Sequence, residues 1–317
     1  MTTAYYHPSA CGGHAMGSGH PECPQRLAAI ADHLIATGLN VALDAREAPA
    51  RAEAELRQAL ERAHSAAFVA EIGELLAEAA RSGQRRAVDP DTAAGPGTQA
   101  AAVAAASAAL AATDAVIDGT ARNAFCAVRP PGHHATRDRA MGFCFYNNVA
   151  VAARHALDAR GLQRVAIVDF DVHHGNGTED IVAGDERILM CSFFQSPLYP
   201  YCGEKPRGTN MVNVPVPPYS RGGAIRELVE RQWMPALDAF GPQMVFVSAG
   251  FDAHREDELG QLGLVEADYA WITRQLLELA DRHAQGRLVS CLEGGYHLGA
   301  LARSVAAHLR VLAGVQA

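Results

Sequence analysis

The sequence predicts an α/β protein built on one parallel sheet covered by helices, and two observations carry that class. Short apolar runs at 125–129, 164–169, 188–194, 211–215, 244–248 and 288–292 are rich in β-branched residues and lack strict alternation. That is the pattern of strands buried on both faces. Between them lie segments of helical character at 147–160, 224–239, 266–283 and 298–313, and the alternation of strand with helix points to a parallel sheet. The Ala-rich stretch 99–112 reads as a further helix, because alanine is the best helix former and Val103 and Leu110 give it a packing face. No repeat or linker interrupts the chain, so residues 1–317 are expected to form one domain. The Pro- and Gly-rich segments 11–20 and 196–209 read as long loops, which in α/β folds often carry function.

With 317 residues and 49% hydrophobic content, the chain can bury a large core. Its formal net charge is -8 and no basic stripe stands out, which argues against nucleic acid as a partner. The seven cysteines are odd in number and include no C-x-x-C pair, which argues against a disulfide framework or a cysteine-rich zinc site. Cys126, Cys191 and Cys291 lie in apolar runs, where a thiol acts as a small hydrophobe. The N-terminal residues lack a charged-then-apolar signal pattern, and no stretch reads as long and apolar enough to span a bilayer. The expectation is a soluble, reduced, cytoplasmic protein without a membrane partner. Assembly into a homo-oligomer is left open.

In parallel sheets, ligands bind beyond the carboxyl ends of the strands. The run at 125–129 leads into Pro130-Pro131-Gly132-His133-His134, and that at 164–168 into Asp169-Phe170-Asp171-Val172-His173-His174-Gly175. The run at 244–248 leads into Ala249-Gly250-Phe251-Asp252, and that at 288–292 into Glu293-Gly294-Gly295-Tyr296. Four strands thus deliver His, Asp, Asp and Tyr to one edge. In extended chain, Asp169, Asp171 and His173 face one side while Phe170 and Val172 face the other. Two carboxylates beside an imidazole repel each other unless a cation lies between them. The spacing therefore predicts a metal on Asp171 and His173, with Asp252 as third ligand and open positions left for water and substrate. Asp169 then falls behind the ligands and orients an imidazole. A single Asp-x-His at a strand end would more often be a turn or cap. It is the co-occurrence of such elements at successive strand ends that favours a metal hydrolase.

These residues resemble the histone deacetylase and acetylpolyamine amidohydrolase superfamily. The resemblance rests on Arg129-Pro130-Pro131-Gly132-His133-His134-Ala135, Gly142-Phe143-Cys144-Phe145-Tyr146-Asn147-Asn148, Asp169 through Thr178, Ala249-Gly250-Phe251-Asp252 and Glu293-Gly294-Gly295-Tyr296. The early segment His20-Pro21-Glu22-Cys23-Pro24-Gln25-Arg26 is similar to the family's first loop. The motifs occur in order across nearly the whole chain. The resemblance implies the arginase/deacetylase fold, a parallel eight-stranded sheet flanked by helices. It implies Zn2+ on Asp171, His173 and Asp252, His133 paired with Asp169, and His134 as general base and then general acid. The partner of His134 falls on Asn176, as in class II histone deacetylases. Tyr296 matches the donor to the substrate carbonyl. Gly142 matches a backbone acceptor, Phe143 one wall of the acyl-lysine tunnel, and Tyr199 the opposite wall. Asp169, Asp171, His173, Ser192 and Phe193 resemble a structural K+ site made mostly of carbonyl oxygens.

The implied reaction is hydrolysis of the amide of an N-acetylated amine such as acetyl-lysine, with water on the metal as nucleophile. A divalent ion brings the water pKa towards ~7 and polarises the carbonyl. His134 can take the water proton and hand it to the leaving amine. Neutral Asn176 should raise the imidazole basicity less than Asp would. Tyr296 can donate to the developing oxyanion, and Gly294 and Gly295 leave its loop free to swing. Taken alone, Tyr296 would read as a buried tyrosine with a satisfied hydroxyl. His174 and His254 are expected beside the site rather than as ligands, and Cys144 is expected to pack near it without acting as a nucleophile. His7, His14 and His20 read equally as entrance or surface residues. Gly12, Gly13, Gly17 and Gly19 lack a phosphate-loop spacing.

An arginase-like dimanganese enzyme would need further carboxylates, whereas Gly175 follows His173-His174 and His254 lies two beyond Asp252. A non-catalytic acetyl-lysine reader is disfavoured because every catalytic position is filled. Polyamine-selective relatives place a Glu gatekeeper a few residues after the last Asp ligand. Here Leu259 takes that position with Glu258 beside it, favouring an acyl-lysine-like or neutral acylated substrate over acetylpolyamines, although an acetylated polyamine or other small acylated amine stays open as the substrate. An Asp-Asp-His set also tolerates Fe2+.

Overall fold

The structure, a computed structural model, describes residues 2–315. Its strands are β1 (Thr3–Tyr6), β2 (Leu43–Arg46), β3 (Arg86–Ala87), β4 (Ala93–Ala94), β5 (Asn123–Cys126), β6 (Val165–Asp169), β7 (Ile188–Gln195), β8 (Met211–Val216), β9 (Val245–Ala249) and β10 (Leu288–Leu292). Its helices are α1 (Gln25–Ala36), α2 (Glu53–Ala63), α3 (Ala66–Ser82), α4 (Thr98–Ile117), α5 (Asn148–Asp158), α6 (Asn176–Val182), α7 (Gly222–Leu228), α8 (Met234–Phe240), α9 (Glu266–His283) and α10 (Leu298–Leu312). Eight strands form one parallel sheet in the order β2-β1-β5-β10-β9-β6-β7-β8, and β3 pairs with β4 antiparallel.

Successive residues of each central strand enter two separate cores. Val165 and Ile167 of β6 join the layer of α2, α3, α4 and α5, whereas Ala166 and Val168 join that of α1, α7, α8, α9 and α10. Burial on both faces explains why these strands read as unbroken apolar runs. The predicted α/β class and parallel sheet are therefore what the chain adopts.

Several boundaries differ from the sequence reading. The strand expected at 125–129 ends at Cys126, because the chain beyond turns to deliver the Pro-Pro-Gly segment. The helix expected at 224–239 is two helices joined by a π-helical turn over Val229–Trp233. Pro235 has no N–H to continue the α-helical ladder, and a local change of pitch accommodates it. Strands β1 and β2 were not read at all. Each has four residues, and β2 is a half-exposed edge with polar Asp44 and Arg46. The expectation that no stretch could span a bilayer is corrected: the 20-residue α4 is long and apolar enough. It is also mostly buried, since its small alanines let it lie close against the sheet and its neighbouring helices as a core element.

Candidate active site

The four strands that end in chemistry-bearing residues are adjacent at the centre of the sheet, in the order β5-β10-β9-β6. Their carboxyl ends share one edge because the strands are parallel. The register sets Asp169 beside Ser248 of β9 and Leu292 of β10 beside Ala249. Segments more than a hundred residues apart thus meet within a few ångströms.

Asp171, His173 and Asp252 converge, with one donor atom from each lying within 4.8 Å of the others. His173 Nδ1 is 3.0 Å from Asp171 Oδ1 and 3.2 Å from Asp252 Oδ2. Both carboxylates are fully buried. Backbone groups orient them: Gly294 N donates to Asp171 Oδ2 at 2.9 Å, and Val172 N donates to Asp252 Oδ1 at 2.9 Å. Asp252 Oδ2 receives no hydrogen bond despite its burial. A Cβ on Gly294 would lie 1.9 Å from that oxygen, so only glycine lets the chain pass here.

The electrostatics show a cluster short of positive charge. Burial, and then Asp171, push Asp252 up to about 7. Burial acts against charging His173, but Asp171 and Asp252 overcome it and hold the imidazole up at about 10. Both buried carboxylates draw on the one imidazole of His173, and a divalent ion on these three donors would satisfy both. The orphaned Asp252 oxygen and the Asp-His-Asp donor set fit a zinc-class ion.

His133 and His134 stand beside this cluster with ring centroids 4.0 Å apart. His133 Nδ1 lies 3.0 Å from Asp169 Oδ2, and its Nε2 lies 3.8 Å from Asp171 Oδ2. Burial disfavours charge on His133, yet Asp171 and Asp169 raise it to about 10. His134 Nδ1 lies 2.8 Å from Asn176 Oδ1. Burial, followed by the charges on His133 and His173, drives His134 well below its ordinary value. The loop that carries the two histidines is held from beneath by Glu293, whose Oε2 accepts from Gly132 N at 2.6 Å and His133 N at 3.1 Å. Burial pushes that carboxyl up to about 7.

The other predicted residues also gather here. A Cβ on Gly142 would lie 2.6 Å from His134 Cδ2, so the backbone lies directly against that ring. Phe143 adopts a left-handed φ of 68°, and its N–H donates to Thr92 Oγ1 at 3.0 Å. This conformation costs roughly 1–2 kcal/mol in a non-glycine residue. It presents the ring edge-on to Tyr296, with centroids 5.9 Å apart. Tyr199 packs edge-on to His134 at 5.1 Å, which places the 196–209 loop at the site. Leu259 is partly buried in the segment after Asp252, its N–H donating to Asp257 Oδ1 at 3.0 Å. Ser192 lies opposite Asp169 in the sheet, next to buried Phe193, and its buried hydroxyl has no partner.

Of the less certain histidines, His174 is buried on Glu179 at 2.8 Å and His254 lies 3.5 Å from Glu266. Neither belongs to the three-residue cluster. His20 packs on Phe143 at 4.7 Å, His14 is buried, and His7 is exposed. Cys144 is buried, with Sγ donating to the Gly142 carbonyl at 3.2 Å, and all seven cysteines are free.

Sequence reasoning missed a buried ion cluster behind the site. Glu22 Oε2 accepts from Arg129 Nη2 at 2.6 Å, Arg129 Nε donates to Oε1, and Arg26 Nη1 is 3.3 Å from Oε1. Arg26 also donates to the carbonyls of Gly295 at 2.6 Å and Glu293 at 2.5 Å, and lies 5.0 Å from the Tyr296 ring centroid. The i, i+4 spacing of Glu22 and Arg26 was the available signal, but nothing local indicates Arg129 as their partner.

Comparison with known proteins agrees with this geometry. The histone deacetylase domain family matches residues 20–312. The histone deacetylase-like amidohydrolase of Pseudomonas aeruginosa is 38% identical over 297 residues, covering 91% of this chain and 74% of the relative. Histone deacetylase 14, chloroplastic, of Arabidopsis thaliana is 37% identical over 326 residues, covering 98% of this chain and 76% of the relative. The crystal structure of the HDA15 HD domain superimposes with a TM-score of 0.90 at 32% identity, covering 99% of this chain and 88% of that one. With the whole sheet, the strand-end residues and these likenesses in agreement, the chain belongs to the histone deacetylase family.

Proposed function

We propose that the protein is a zinc-class metal-dependent deacetylase that hydrolyses the amide of an N-acetylated amine such as acetyl-lysine. The observation that carries this reading is the buried Asp171–His173–Asp252 cluster, with its unpartnered Asp252 oxygen, set against the two histidine pairs. Asp171, His173 and Asp252 would hold the ion, which when bound would acidify water and polarise the amide carbonyl. The chain's own residues divide the remaining work.

His134 is neutral near pH 7 because burial, and then the positive charge on His133, disfavour its own charge. Nδ1–H donates to Asn176 Oδ1, which leaves Nε2 with a lone pair to accept a proton from water. The same nitrogen then delivers that proton to the departing amine. His133, paired with Asp169, is held cationic and adds positive charge where the tetrahedral oxyanion develops. Burial raises the Tyr296 hydroxyl well above its ordinary value, so it stays protonated and can donate to that oxyanion. Phe143 and Tyr199 wall an acyl-lysine channel, and the Gly142 carbonyl accepts from the substrate amide.

K+ is assigned to the carbonyl oxygens of Asp169, Asp171, His173 and Phe193 together with Ser192, a reading supported by the buried, unpartnered Ser192 hydroxyl. The test of the main reading is turnover of a fluorogenic acetyl-lysine substrate during titration with zinc, cobalt or iron. Metal-dependent release of acetate is expected. Binding of the acetylated peptide with no turnover under any of these metals would favour an acetyl-lysine reader instead.

A further inference from the structure

Tyr296 stands on a short turn between β10 and α10, after two glycines, the second with φ of 119°. Such a turn has wide conformational freedom, yet a hydroxyl that donates to a developing oxyanion must be held to a fraction of an ångström. The carbonyls of Glu293 and Gly295 are taken by Arg26. The N–H groups of Tyr296 and His297 are both taken by Asp257, whose Oδ2 accepts from them at 2.6 and 3.0 Å. The other oxygen of the same carboxylate accepts from Leu259 N at 3.0 Å. Asp257 is buried, and its own N–H donates to the His254 carbonyl at 2.9 Å. One anion therefore ties the turn bearing Tyr296 to the segment that carries Asp252 and Leu259.

We propose that Asp257 is a positioning residue for the reaction, fixing Tyr296 over the reacting carbonyl and setting Leu259 at the channel in the same grip. The proposal rests on the reading of Tyr296 as the oxyanion donor. An ionised carboxylate accepting N–H groups at both oxygens makes strong, charge-assisted bonds. An amide in its place offers one accepting oxygen and one donating nitrogen, so it can serve Leu259 or the Tyr296–His297 pair but not both.

Asp257→Asn is expected to lower kcat about 10- to 100-fold, on the scale that misplacing a catalytic group produces, with KM altered less than about threefold. Bound metal should be unchanged. In a Tyr296→Phe background, where no hydroxyl remains to be placed, the same substitution should change kcat less than about threefold. Amide exchange in metal-free protein gives a second readout: segment 293–297 should exchange faster in Asp257→Asn than in wild type. Asp257→Glu keeps the charge and both oxygens but displaces them by one carbon, and should give a smaller loss. The proposal is overturned by an equal fold-loss in both backgrounds or by unchanged exchange at 293–297. Wild-type protein that turns over no amide would sink the deacetylase reading, while the exchange comparison would still decide whether Asp257 holds the turn.

Discussion

Asn176 Oδ1 lies 2.8 Å from His134 Nδ1, so the histidine proposed as general base leans on a neutral amide rather than a carboxylate. The pairing fixes the tautomer without adding charge, and burial with His133 and His173 nearby keeps the ring unprotonated. Replacing Asn176 by Asp sets an anion beside the ring, which favours the imidazolium and raises its pKa. A base must be neutral to act, so the acidic limb of the kcat/KM profile should move to higher pH in Asn176→Asp. An unchanged acidic limb would count against His134 as the base.

Acid sensitivity has a source outside the site. His64 is buried, its Nδ1–H donates to the Thr136 carbonyl at 2.8 Å, and its Nε2 accepts from Asn147 N at 3.0 Å. The second bond requires a neutral ring, since a protonated Nε2 has no lone pair to accept with. Burial lowers His64 from 6.5 to about 4. The folded-state value is the lower one, so the unfolded chain takes up the proton first. The stabilisation is fully present above pH 6.5 and is lost as the pH falls towards 4, amounting to about 3 kcal/mol by linkage. Urea unfolding of His64→Gln at pH 7 and pH 4.5 should show a smaller loss between the two than wild type. An equal loss would remove His64 from the account.

We propose that Leu259 governs substrate choice. Its N–H is fixed by Asp257 in the segment that follows Asp252. An apolar side chain there offers nothing to a second cationic amine, whereas a carboxylate would attract one. Leu259→Glu should raise activity on acetylpolyamines relative to acetyl-lysine peptides, measured as a ratio of kcat/KM values. A ratio that does not move would refute the gatekeeper assignment.

Much of this site is legible in the sequence because its chemistry is concentrated at strand ends. The runs ending in Asp169, Asp252 and Tyr296 each announce themselves by an apolar stretch that stops at a titratable group. The i, i+2 alternation from Asp169 to His173 is a local property of extended chain. What remained hidden depends on long-range topology. Nothing local places β10 between β5 and β9, and so nothing local brings Glu293 under His133 or Arg129 onto Glu22. Asp257 was equally silent: its partners are backbone N–H groups, which carry no residue signature. The short strands β1 and β2 were unreadable because four residues of mixed polarity cannot establish a period.

Metal content measured on purified protein, with wild type and Asp252→Asn compared side by side after reconstitution with zinc, reads the three-residue cluster without intermediaries. The account predicts one tightly held ion per chain in wild type, acetyl-lysine turnover that rises in proportion to its occupancy, and loss of both in the variant. A wild-type protein that retains no stoichiometric ion and gains no activity on its addition would contradict it.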